Sequence, residues 1–95
     1  QLGDRQGEGI AQFNIGNTLL YRHQFEGAQE KFELSLRLAK TVNDHEGHSD
    51  ALIQLAAVAE QQQNIPQRQK LLTEAASVLR QNNIAVTGWL QENGF

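Results

Sequence analysis

The chain repeats itself at a spacing of 40 residues, and that repeat limits its possible folds more than any other feature. Shifted by this distance, Asp4 falls on Asp44, Gly7 on Gly47, Ala11 on Ala51 and Gln29 on Gln69. Positions that differ keep their character. Ile15 meets Leu55, Gly16 meets Ala56, Phe25 meets Ile65, Phe32 meets Leu72 and Lys40 meets Arg80. A unit of this length cannot bury its apolar face alone, so repeated units stack against one another.

Apolar residues inside each unit recur at helical spacing. One stripe is Ile10, Phe13, Ile15, Leu19 and Leu20, and a second is Phe25, Ala28, Phe32, Leu36 and Ala39. Leu52, Leu55, Ala56 and Ala59 form a third, and Leu71, Leu72, Ala75, Ala76 and Leu79 a fourth. No stretch alternates apolar and polar residues long enough for a strand. Asp4 and Asp44 are suited to cap helix N-termini, and Asn64 caps a helix with Pro66 in its first turn. The pattern predicts helices over 5–22, 25–41, 45–62 and 65–81, with a fifth over 84–93. The expected fold is all-α: two antiparallel helix–turn–helix repeats, about 4–41 and about 44–81, with a tail over about 82–95. The tail reads either as a capping helix or as the remnant of a third repeat. Ile84, Val86, Trp89 and Leu90 are placed to share an apolar face, with Asn82 or Asn83 as its cap.

Composition excludes several classes. With 95 residues the chain is one domain, and its net charge of −3 argues against a nucleic-acid backbone or an anionic membrane as main partner. No apolar run nears the roughly 18 residues of a membrane span. Gln1-Leu2-Gly3-Asp4 lacks the basic and apolar regions of a signal peptide. Cysteine is absent, which removes disulfides and thiolate metal sites and fits a cytoplasmic location. Methionine is absent too, so the sequence is expected to be a fragment or a processed product.

The stretches Gly3-Asp4-Arg5-Gln6-Gly7-Glu8, Asn14-Ile15-Gly16, Phe25-Glu26-Gly27-Ala28, and Phe32 with Leu36-Arg37-Leu38-Ala39 carry a family likeness. They resemble the tetratricopeptide repeat family, and more narrowly its variant with a 40-residue period and a Gly-Asp-rich linker. Gln12, Ile15, Gly16 and Leu19 hold the gaps of the family's first-helix signature, and Ala28 and Phe32 those of its second. Leu52, Leu55, Ala56 and Ala59, then Ile65 and Leu72, repeat them. Arg68 stands where the family has a small alanine. The likeness runs over roughly residues 3–80.

That resemblance implies an interaction module with a concave face lined by the first helix of each unit. The lining residues are then Phe13, Asn14, Asn17, Leu20 and Tyr21, followed by Ile53, Gln54, Ala57, Glu60 and Gln61. In the longer-period variant an asparagine at the place of Asn14 commonly holds a ligand's main chain, which suits an amide that both donates and accepts. Asn17 fits the family's carboxylate clamp, but Phe13 stands in place of its lysine, so that clamp is not expected. Phe13, Leu20 and Tyr21 imply a partly apolar peptide, although Phe13 and Tyr21 also suit burial against a neighbouring repeat. Independently of the family, Gly16 marks a close helix–helix approach, with Ala28 as the expected opposite wall.

Catalytic chemistry finds no pattern. His45, Glu46 and His48 follow Asp44, but the histidines are three apart, not four, and a polar first helical turn accounts for them. Ser35, Ser49 and Ser77 have no histidine and carboxylate in a recognisable motif, and no glycine pattern forms a phosphate loop. Glu30 and Glu33 share a solvated face with Lys31 and Arg37. No enzyme activity, metal or cofactor is expected. Three roles remain: a protein- or peptide-binding module, a self-associating structural unit (a homo-oligomer), or a regulatory helical domain of a larger enzyme or sensor.

Overall fold

A computed structural model describes residues 2–95, with side chains described from Asp4 onward. Gln1, the first residue of the polar N-terminal stretch, lies outside the described residues. The chain is all-helical: α1 (Leu2–Tyr21), α2 (Phe25–Thr41), α3 (His45–Gln61), α4 (Ile65–Gln81) and a short α5 (Gly88–Glu92). Helix α1 pairs with α2 and α3 with α4, while α2 packs on α3 to join the two hairpins. The Cα envelope measures 38 × 32 × 17 Å. The short dimension fits two helix layers, α1 with α3 and α2 with α4, at ordinary packing distance.

The backbone repeats at half the sequence period. His23, Asn43, Gln63 and Asn83 stand 20 residues apart, and each adopts a left-handed conformation, with φ of 60, 57, 61 and 58°. Three positions past the last helical residue, the N–H of Gln24, Asp44, Asn64 and Ile84 donates to the carbonyls of Leu19, Ala39, Ala59 and Leu79, at 2.8–2.9 Å. Each turn is thus a Schellman closure that satisfies a terminal carbonyl and reverses the chain in three residues. Helix starts follow the same beat. Asp44 accepts from the N–H of Gly47 at 2.9 Å, and Asn64 from the N–H of Gln67 at 3.3 Å with Pro66 in the first turn.

Asp4 does not act as a cap. Helix α1 begins at Leu2, so Asp4 falls inside its first turn. Its repeat partner Asp44 stands just outside α3, where its side chain accepts from the N–H of Gly47, whereas Asp4 already lies within α1.

Small residues set the hairpin spacing. Gly9 and Ser35 meet where α1 crosses α2, and Ser35 donates its hydroxyl to the Gly9 carbonyl at 2.9 Å. The equivalent crossing in the second hairpin carries Ser49 and Ala75, with the bond reversed: Ser49 donates to the Ala75 carbonyl at 3.3 Å. Both serines are buried. Gly16 faces the ring of Phe32 rather than Ala28. A Cβ built on Gly16 would lie 2.6 Å from Phe32 Cε1, and the ring is fully buried against Phe13 with centroids 5.6 Å apart.

The core fills the spaces between layers. Ala28, Phe32, Leu55 and Val58 join the hairpins, and Leu52, Ala56, Leu72, Ala75, Ala76 and Leu79 hold the second one together. The first apolar stripe departs from expectation. Ile10 and Ile15 are 54% and 43% exposed, and the buried α1 positions are Gly9 and Gly16. The reason is positional. In α3 the residues Ala51, Leu55 and Val58 are buried, Leu55 and Val58 against Ala28 and Phe32 of α2, whereas their equivalents Ala11, Ile15 and Thr18 in α1 are exposed.

The tail caps the second hairpin through fewer residues than expected. Leu90 is fully buried among Leu52, Ala56, Leu72 and the α4 alanines, with Ile84, Val86 and Phe95 around it. Trp89 is excluded from that face and is 47% exposed. Helix α5 is shorter than the 84–93 expected from the sequence. Thr87 caps it by accepting from the N–H of Leu90 at 3.4 Å, because Asn83 is spent on the left-handed turn and the Asn82 side chain donates to the Val78 carbonyl. The Arg80 side chain also donates to the Phe95 carbonyl, tying the tail to α4.

Candidate functional site

The open side of the α1/α3 layer is a shallow trough with one polar crossing. Midway along it, Gln54 donates to the side-chain oxygen of Asn17 at 2.6 Å. This bond fixes both amides and leaves a hollow at each end. The first, about 340 Å³, lies among Gln6, Ile10 and Phe13 of α1 and Asp44, Glu46 and Asp50 at the start of α3. The second is walled by Leu20, Tyr21 and His23 on one side and Ala57, Glu60 and Gln61 on the other. A third hollow lies on the far flank of α3, where Trp89 stands opposite Ile53, Gln54, Ala57, Glu60 and Arg68.

The residues named from the sequence separate accordingly. Phe13 lines the first hollow while its ring supports Phe32. Asn17 and Gln54 bind each other. Leu20, Tyr21 and Gln61 belong to the second hollow, Ile53 and Gln54 to the third, and Ala57 and Glu60 to both, since they sit on the ridge between them. Tyr21 is almost wholly exposed, at 87%. Asn14 is exposed and lines none of these three hollows. It lies one helical step toward the outer side of α1, where its backbone carbonyl accepts from the Thr18 hydroxyl at 3.2 Å.

Trp89 is the trough residue that the sequence did not disclose. Its apolar neighbours in the tail suggest a residue of the core, but Leu90 takes that place and the adjacent indole is turned outward. Arg68, the departure from a small residue, is the other addition. Its guanidinium reaches Glu60 at 2.8 Å, so it closes the third hollow instead of entering the α3/α4 seam.

Electrostatics divide the trough. The first hollow is acidic, and the Asp50 carboxyl is pushed above its ordinary value, first by partial burial and then by Glu46 and Asp44. Beyond it, the His48 imidazole is held below its ordinary value by burial, then by Lys40 and His45, against an opposing pull from Glu74. Among the described residues, no three His, Asp or Glu side chains converge closely enough to hold a metal ion. Nor, among them, is any helix long and apolar enough to cross a membrane. No family model matches the chain, and no curated protein or solved structure matches it.

Proposed function

We propose that this chain is a protein-interaction module of the tetratricopeptide type, not an enzyme, and that it holds a peptide segment in the α1/α3 trough. The observation that carries this reading is the trough itself. Half-buried Phe13, Leu20, Ile53 and Ala57 give it an apolar floor, exposed Tyr21 and Trp89 stand at its margins, and the Asn17–Gln54 pair crosses its centre. Aromatic side chains at a rim offer contact area at small entropic cost, as binding surfaces do. The amide pair exposes unused donor and acceptor capacity to a passing main chain. The acidic first hollow favours a segment that brings a Lys or Arg beside an apolar residue. The ligand is a protein segment, with no nucleic acid and no cofactor, and a cytoplasmic setting suits the cysteine-free chain.

Selection from a random peptide display library tests the reading. Ala57 sits on the ridge between two hollows and outside the sealed core, so Ala57→Arg fills the trough while sparing the fold. Peptides selected on the parent chain should lose binding to Ala57→Arg and weaken on Trp89→Ala. Equal binding to parent and Ala57→Arg would show that the trough is not the binding face.

A further inference from the structure

The first two hollows of the trough are spaced alike along both of its walls. On α1 their nearest lining residues are Phe13 and Leu20, and on α3 they are Asp50 and Ala57. Each pair is seven residues apart, which is about 10 Å of helix, and the middles of the lining stretches are about 18 Å apart. The Asn17–Gln54 bridge stands between the hollows. Its bond uses one N–H of Gln54 and the Asn17 oxygen, and leaves the Asn17 amide hydrogens and the Gln54 oxygen for a ligand. A helical ligand has spent its main-chain groups on its own ladder, whereas an extended segment presents both N–H and C=O. The bridge therefore favours an extended ligand.

Extended geometry turns the spacing of the hollows into a sequence rule. Residues rise about 3.3 Å each and alternate sides, so those that face the trough are every second one. Two positions apart they span about 7 Å and six apart about 20 Å, both outside the range of about 10–18 Å, while four apart they span about 13 Å. The residue midway then lies over the bridge, where a small side chain keeps the main chain within reach of the amides. The two ends meet different chemistry. The first hollow sets Ile10 and Phe13 beside Asp44, Glu46 and Asp50, which suits the stem and cation of a Lys or Arg. The second offers Leu20, the Tyr21 ring and Ala57, which suit a large apolar side chain, and Glu60 at its edge is already paired with Arg68.

We propose, resting on the trough as the binding face, that its ligand is an extended segment with a Lys or Arg and a large apolar residue four positions apart and a small residue midway. Fluorescence anisotropy tests this with labelled peptides of Ser, Thr and Gly that carry one Lys and one Leu two, four or seven positions apart, each in both orders. Seven apart is the spacing that matches the hollows on a helical ligand. In one of the two orders, the four-apart peptide binds about tenfold or more tighter than those at the other spacings. N-methylation of its main chain between the anchors weakens it by about threefold or more. Asp50 is exposed, so Asp50→Arg keeps the helical circular dichroism signal; it weakens this peptide by about tenfold and spares one whose Lys is replaced by Leu. Preference for seven, or equal binding at every spacing, in either case abolished by Ala57→Arg, overturns the rule and leaves the trough standing. Binding indifferent to Ala57→Arg, or no binding by any peptide, overturns the trough reading and the rule with it.

Discussion

Two glycines of α1 sit in opposite environments, and alanine at each should move stability in opposite directions. At Gly16 the added methyl would lie 2.6, 2.8 and 3.0 Å from three carbons of the Phe32 ring. Carbon atoms normally approach to about 3.5–4.0 Å, so the overlap is about 1 Å. The ring has no simple retreat, since it is fully buried with Phe13 tilted against it at 5.6 Å. Overpacking of this kind costs about 1–3 kcal/mol, while replacing a mid-helix glycine with alanine returns about 1 kcal/mol. The net expectation for Gly16→Ala is a loss of up to about 2 kcal/mol. At Gly7 nothing opposes the methyl, so Gly7→Ala keeps the whole propensity gain of about 1 kcal/mol. In a domain of this size the two variants, about 1–3 kcal/mol apart, should differ in Tm by roughly 4–24 °C. Thermal and urea unfolding of the parent and both variants measure the gap. Phe32→Leu in the Gly16→Ala background should recover part of the loss, giving a coupling of about 0.5–3 kcal/mol. If Gly16→Ala stabilises as much as Gly7→Ala, the Phe32 ring does not lie against α1 and the account of the first hairpin fails.

Further expectations concern single positions. The Gln12 side-chain oxygen is buried without a hydrogen-bond partner where the second unit has Leu52, so Gln12→Leu should stabilise by about 1–3 kcal/mol; an unchanged urea midpoint would mean that water satisfies the amide. Gln63 holds a left-handed φ of 61° at a helix C-terminus, and Gln63→Gly should raise stability by about 1 kcal/mol in the same assay, whereas a loss would show that this turn is not left-handed. The raised pKa of Asp50 means that its charged form costs stability near neutral pH, a cost that vanishes as pH falls through the carboxylate range. Asp50→Asn should therefore outlast the parent in urea near pH 7 and converge with it below the ordinary value of 3.8; a constant difference across that range would refute the burial argument. His48 has the opposite sign: its lowered pKa makes the parent lose stability as pH falls below 6.5, and His48→Gln should lack that loss.

The helices were legible because their apolar residues keep a helical period, and the bounds of α2 and α4 follow from the sequence itself. The first stripe misleads for a physical reason. Hydrophobic periodicity weights Ile10 and Ile15, but the positions where α1 meets α2 are Gly9 and Gly16, which contribute contact by having no side chain. Periodicity also cannot tell whether a neighbouring helix exists, and so Ile15 and Leu55, matched in sequence, differ in burial. The 20-residue turn was hidden because His23, Asn43, Gln63 and Asn83 share a backbone angle but little chemistry, and only the asparagines hint at it. The trough was readable on its helical walls and not at Trp89, whose direction depends on where a short tail happens to dock.

The uncovered side of α1 also bears on how the chain comes apart. Helix α3 has α2 on one flank, α4 on the other and α1 along part of its length, whereas α1 has a strong partner only in α2. Opening is cheapest where the least apolar surface must be exposed, so the ladder should loosen from its N-terminal end inward. Amides of α1 should exchange with solvent deuterium first and those of α3 last. A chain of this kind has a directional weakness: its first helix can detach and re-engage while the second hairpin and its tail remain folded.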